Sequence, residues 1–224
     1  MIEMQKLSSP FDLIKKSVNI FAKKENLVYL IQIYIPMALF SIISIAQNYL
    51  PENIRNSTSV WMVSGVVILQ LIYLLVSVFV TLSGIIAVGK IIGGEELSIK
   101  KTYKSALPKY WTFLLLSSVL TLAYIFGFVL LIIPGIIFVV WFAFSRFAAV
   151  EKGLGVKDAL LKSKELVKGI YWKILGRLLV FGAFTVIVQM LLTMIPYGVG
   201  SVINSLCGGF FILPLFLLYK ELST

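Results

Sequence analysis

The stretch that decides the fold is residues 110–150, YWTFLLLSSVLTLAYIFGFVLLIIPGIIFVVWFAFSRFAAV. It carries a single formal charge, Arg146, and its only strong turn signal is Pro134-Gly135. One crossing of a hydrocarbon core needs about 20 apolar residues. The run is about twice that length, so it reads as two crossings folded back on each other at Pro134-Gly135, residues 110–133 and 136–150. Lysines stand before it (Lys100, Lys101, Lys104, Lys109) and after it (Lys152, Lys157, Lys162, Lys164). A chain that crosses twice returns to the side it left, and both flanks of this run are basic.

Working outward, four more apolar runs of spanning length appear: residues 27–49, 60–90, 170–195 and 202–219. Six crossings put every lysine and arginine except Arg55 on one side or at its membrane edge. The positive-inside rule then places both termini in the cytoplasm, in a plasma or inner membrane. The composition agrees with this reading: 59% of the 224 residues are hydrophobic and 13% are charged, against roughly 25% charged in a soluble domain. The expected architecture is an all-α membrane protein, a single domain over residues 1–224. Residues 1–10 hold no cleavable signal pattern, because no basic segment leads directly into a short apolar core.

The net charge of +10 does not point to nucleic acid, because the cations lie between apolar runs rather than on a soluble face. Three cytoplasmic segments read as short amphipathic helices. Ser9-Pro10 is a helix start, followed by Phe11, Ile14, Val18 and Phe21 at helical spacing and by Lys15 and Lys16 on another face. Ser98 opens a second, with Tyr103 and Leu107 set against Lys100, Lys101 and Lys104. Gly155 to Gly169 holds a third, with Ala159, Leu160 and Val167 set against Lys157, Lys164 and Lys168. Each suits a helix at the inner interface with lysines toward anionic headgroups. Lys15, Lys16, Lys100, Lys101, Lys157 and Lys164 are the expected lipid contacts. The pattern is three two-span hairpins, each preceded by an interfacial helix. Their starts lie about 89 and then about 57 residues apart, and both a threefold duplication and independent hairpins fit that spacing.

The chain has no histidine, which removes the commonest general base and metal ligand. Its one cysteine, Cys207, excludes an internal disulfide. All ten carboxylates lie outside the apolar runs, whereas ion-coupled carriers hold one within the membrane. Glu95-Glu96 reads as a solvated turn, and no phosphate loop or dinucleotide fingerprint is present. No cofactor or metal is expected. Asn56-Ser57-Thr58 matches a glycosylation sequon on the outer side.

Polar groups inside the runs are the candidate ligand contacts. Gln32, Gln70, Gln189 and Asn204 are expected to face the bundle interior, bonding to other helices or lining a wet cavity, because an amide in lipid is costly. Arg146 is expected to snorkel toward the inner interface, with Glu151 or Glu165 for company. Its alternative role is contact with a lipid phosphate or another anion.

Residues 131–175 carry a resemblance. Ile133-Pro134-Gly135-Ile136-Ile137 leads to Arg146. Val150-Glu151, Gly155-Val156-Lys157-Asp158-Ala159-Leu160, Ser163, Lys168-Gly169 and Trp172 follow. This resembles the prokaryotic multi-span group that includes the membrane domain attached to some glycerophosphodiester phosphodiesterases and related six-span proteins. The resemblance implies fold and topology. Phosphodiesterase chemistry does not transfer to a chain without histidine. The expected function is a non-enzymatic membrane protein that binds lipid or scaffolds a membrane partner at the cytoplasmic leaflet. The alternative is a transporter or permease component, in which Gln32, Gln70, Gln189, Asn204 and Arg146 would share one cavity. A lipid-headgroup enzyme would instead need several of Arg146, Glu151, Asp158, Glu165 and Lys173 in one pocket.

Overall fold

The computed structural model describes residues 7–47, 49 and 59–223. The sequon and Arg55 lie outside the described residues. Those described form eleven α-helices and no strand: α1 (Pro10–Phe21), α2 (Lys24–Gln47), α3 (Val60–Gly93), α4 (Ile99–Ala106), α5 (Tyr110–Leu130), α6 (Ile132–Phe142), α7 (Ser145–Lys152), α8 (Val156–Val167), α9 (Tyr171–Thr193), α10 (Val199–Leu206) and α11 (Gly208–Ser223). Six helical stretches are long and apolar enough to cross a membrane: Lys24–Ala46, Val63–Gly93, Ile99–Val129, Ile132–Lys152, Tyr171–Thr193 and Val199–Ser223. Apolar segments fold this way because hydrocarbon offers no partner for backbone N–H and C=O, and a helix satisfies them internally.

Three boundaries differ from the sequence reading. The third crossing begins at Ile99, because α4 continues into α5 through one 3₁₀ turn, Leu107–Lys109. The turn expected at Pro134-Gly135 lies at Leu131, the extended residue between α5 and α6. Pro134 stands in the first turn of α6, where no N–H is needed for the ladder. Gly135 serves contact rather than turning. A Cβ built at Gly127 would lie 2.9 Å from the Gly135 Cα, and one at Gly135 would lie 2.6 Å from the Phe128 ring. The fourth crossing is also not one helix. It breaks at Ala143-Phe144, between α6 and α7.

The core lies toward the end that carries the lysines. α2, α3 and α11 meet there around Leu30, Ile33, Leu82, Leu213 and Phe216, all fully buried. The Tyr34 ring fills the space that side chains at Gly84 and Gly208 would occupy. α1 packs on α11 and is clamped at its start. The Ser8 N–H donates to Glu221 Oε2 (3.2 Å), and Arg177 Nη2 donates to the carbonyls of Leu7 (3.1 Å) and Ser8 (2.9 Å). The first and last described helices therefore share one end of the bundle. α4 is tied to α2 by Tyr29 with Thr102 and by Tyr103, whose hydroxyl donates to the Ile33 carbonyl (2.9 Å). Toward the other end, α3 from Val66 to Leu75 is exposed, and so is most of α9. Their apolar surface suits contact with lipid tails.

The Gly127–Gly135 approach gives a test. Replacing Gly127 with leucine forces α5 and α6 apart and lowers stability by about 1–3 kcal/mol, the usual cost of overpacking. Thermal unfolding of the purified variant in detergent, against wild type, measures it.

Candidate functional site

Five of the described α-helices carry a lysine in the last turn, and three of these lysines come together at the basic end: Lys90 on α3, Lys152 on α7 and Lys220 on α11. Cations suit these positions because the unpaired carbonyls of a helix C-terminus carry partial negative charge. α3 and α7 stop sharply because Gly94 (φ 68°) and Gly153 (φ 64°) adopt the left-handed conformation that glycine tolerates. Lys109, just before α5, reaches across and donates to the Val150 carbonyl at 2.6 Å. These four lysines line one cavity of about 430 Å³, together with Glu95, Glu151 and Ser105.

Four cations there face two carboxylates. Lys220 pairs with Glu151 at 2.6 Å. Lys90 and Lys152 make no hydrogen bond or ion pair among the described residues and leave a net positive pocket. Its chemistry is that of an anion receptor: ammonium donors, a serine hydroxyl and a floor of Ile85, Ile86 and Gly89. Among the described residues no group of three histidine, cysteine, aspartate or glutamate side chains is placed to hold a metal ion.

None of the six lysines expected to contact lipid lines this pocket, although all six are exposed. Lys101 pairs with Glu96 at 2.5 Å, and that bond holds the Glu96 carboxyl below the usual carboxylate range. Glu165 is lowered in the same way by Lys162, 2.9 Å away. Lys164 stands 4.1 Å over the Trp141 ring, a cation–π contact. Lys15, Lys16, Lys100 and Lys157 project from α1, α4 and α8 without ion pairs among the described residues.

The five polar candidates do not converge. Gln32 lines an open cleft beside Lys24, Glu25 and Glu95 at the basic end. Gln70 lines a different cleft toward the opposite end, with Ser41, Ser44 and Ser201. Gln189 is exposed on α9. Asn204 is half-buried on α10, and its Oδ1 is buried without a partner. Gln32 and Gln70 thus line clefts, one of the two placements expected, but two different ones; Gln189 does neither, because α9 buries too little surface to cover it. Of the residues considered for a headgroup enzyme, three lie apart: Glu151 lines the lysine pocket, Glu165 pairs with Lys162, and Arg146 lines a third cleft.

Arg146 does not snorkel to the basic end, and neither expected carboxylate accompanies it. Its position follows from the break in the fourth crossing. There the buried Ser163 hydroxyl of α8 donates to the Trp141 carbonyl (2.7 Å) and accepts from the Phe144 N–H (3.1 Å). Ser163 thus satisfies both sides of the break. α7 starts immediately beyond it, with Arg146 in its first turn.

Among residues the sequence reading did not single out, Lys90, Lys109, Lys152 and Lys220 share one signal. Each is the cation nearest an apolar run's boundary. Ser163 belongs to the stretch that carries the resemblance, but its role was not legible, because its partners lie 19 and 22 positions away in sequence. Replacing Ser163 with alanine leaves the Phe144 N–H and Trp141 carbonyl buried without that partner. It lowers unfolding free energy by about 1–3 kcal/mol, read by chemical denaturation in detergent with helix content unchanged in the folded baseline. Compared with protein-family models, curated proteins and solved structures, the chain matches none.

Proposed function

We propose that this chain is a non-enzymatic protein of the cell membrane, with both termini in the cytoplasm. Its basic end holds anionic lipid headgroups and can present them to a membrane partner. The observation that carries the reading is the pocket of Lys90, Lys109, Lys152 and Lys220, built from four separate helical segments on one level of the bundle. A phosphate group fits such a pocket because charge-assisted hydrogen bonds to several ammonium groups are stronger than neutral ones.

The three short helices extend the same surface. α1 buries Leu13 and Ser17 and exposes Lys15 and Lys16; α8 buries Ala159, Ser163 and Val167 and exposes Lys157 and Lys164. α4 buries Thr102 and Ala106 and exposes Lys100 and Lys104. α1 and α8 each precede a pair of apolar crossings, whereas α4 opens the third crossing itself, so two of the three hairpins keep a separate interfacial helix. Juxtamembrane cations attract an anionic leaflet by about 1 kcal/mol each.

Two measurements test this. In nanodiscs, adding phosphatidylglycerol to phosphatidylcholine is expected to raise Tm by about 3–6 °C. The K90Q/K152Q variant is expected to lose about half of that rise. Equal Tm and equal lipid retention in neutral and anionic discs would end the lipid reading. Orientation is read with C207S carrying S98C or K157C in intact cells. An impermeant thiol reagent is expected to label neither position until the cells are opened, and labelling from outside would reverse the topology.

A further inference from the structure

A second cleft, of about 560 Å³, lies between α3 and α5 and is independent of the lysine pocket. Its walls are Ser77 and Thr81 on α3 and Ser117, Ser118 and Thr121 on α5, and Arg146 of α7 lines it. Leu74, Ser118, Thr121 and Leu122 are exposed, so the cleft opens sideways, where an apolar crossing meets lipid.

Arg146 is far from the basic end. Lys152 is six residues further along, about 9 Å of helix, and Ser117 and Thr121 follow Lys109 by about 12 and 18 Å. Against a hydrocarbon core about 30 Å thick, that depth is interior. A guanidinium there is costly unless paired. Among the described residues no carboxylate lies within 4.0 Å of it, and its Nε is buried without a hydrogen-bond partner. The neighbouring ionisable group is the Tyr124 phenol. The hydroxyls do not need the arginine for satisfaction. Ser77, Thr81, Ser118 and Thr121 already donate to carbonyls of their own helices at 2.8–3.0 Å.

We propose that this cleft is a site for a lipid-borne anion. Arg146 holds a phosphate or carboxylate headgroup, and the attached hydrocarbon chain runs out past Leu74 and Leu122. The missing counter-charge supplies the selectivity: an anion entering from the side neutralises a cation that no protein carboxylate reaches. A planar guanidinium fork suits either oxyanion through paired hydrogen bonds.

The test uses the whole chain in phosphatidylcholine nanodiscs with an oleate analogue bearing a photoactivatable diazirine on its chain. Labelled peptides are located by mass spectrometry. Label is expected on residues 74–81 and 114–122. Unlabelled oleate or dioleoyl phosphatidic acid is expected to displace it; oleyl alcohol and inorganic phosphate at the same concentration are not. R146Q is expected to reduce labelling by about tenfold or more, the loss of one charge-assisted pair, while R146K retains part of it. S118L/T121L fills the cleft with Arg146 intact and is expected to lose labelling as well. This double variant decides the matter if R146Q does not fold. Displacement by oleyl alcohol as effective as by oleate would overturn the site, as would undiminished labelling in folded R146Q or in S118L/T121L. Displacement by inorganic phosphate would overturn the lipid-borne assignment. K90Q/K152Q is expected to label like wild type, so loss of the lysine-pocket effect and loss of this one are read separately.

Discussion

Every feature of this fold is bounded by one requirement: a backbone amide inside hydrocarbon must find its partner within the protein. Continuous helices meet it without help, as three of the six apolar stretches do here; the third passes through a 3₁₀ turn, and the fourth and sixth are interrupted. The informative places are the interruptions. At Ala143-Phe144 the fourth crossing breaks, and the freed carbonyl and N–H are both taken by the Ser163 hydroxyl. At Cys207 the sixth breaks, with the Cys207 N–H on the Ile203 carbonyl and the Phe210 N–H on the Cys207 carbonyl. In neither case is the break left to lipid. The sixth crossing closes its break with its own carbonyls, whereas the fourth relies on a neighbour, α8.

That dependence links the basic end to the interior. α8 carries Lys157 and Lys164 outward and Ser163 inward, on opposite faces of the same helix. The helix proposed to meet the headgroups also stabilises the break from which α7 and Arg146 start. Displacing α8 would unsatisfy Trp141 and Phe144 and shift Arg146, half-buried in the first turn of α7. The two anion sites proposed for this chain are separate in space, yet both are built on α7: Arg146 in its first turn and Lys152 in its last.

The crossings were legible in the sequence because their signal is composition summed over some 20 residues, which no single packing contact can overturn. The turn at Pro134-Gly135 was misplaced by three residues for the opposite reason. Proline and glycine are ambiguous one at a time: proline is as much at home in a first helical turn as in a loop, and glycine marks a close helix contact as readily as a bend. Only the 2.9 Å that a Cβ at Gly127 would leave to Gly135 separates those meanings. That Gln32 and Gln70 would line a polar cleft was open in the sequence, but which cleft each one lines was not, because the two lie at opposite ends of the bundle. The lysine pocket was hidden by sequence distance, since Lys90 and Lys220 are brought together by α3 packing on α11 rather than by any local pattern.

The two sites should also differ in their physics. The lysine pocket opens at the end of the bundle, where carboxylates, helix C-termini and dissolved salt all act on it. The Debye length at physiological ionic strength is about 8 Å, so exposed lysines there compete with bulk ions for any headgroup. Strength in that pocket comes from number, four ammonium groups acting together, and it fades as salt rises. Arg146 has neither the help nor the competition. Between α3 and α5 the medium is hydroxyl and hydrocarbon, where one charge pair is screened far less. An arginine suits that position better than a lysine, because it stays protonated under desolvation that would drive an ammonium to shed its proton. The two proposed sites thus differ in how they would hold an anion: several exposed cations at the end of the bundle, and one half-buried cation between α3, α5 and α7.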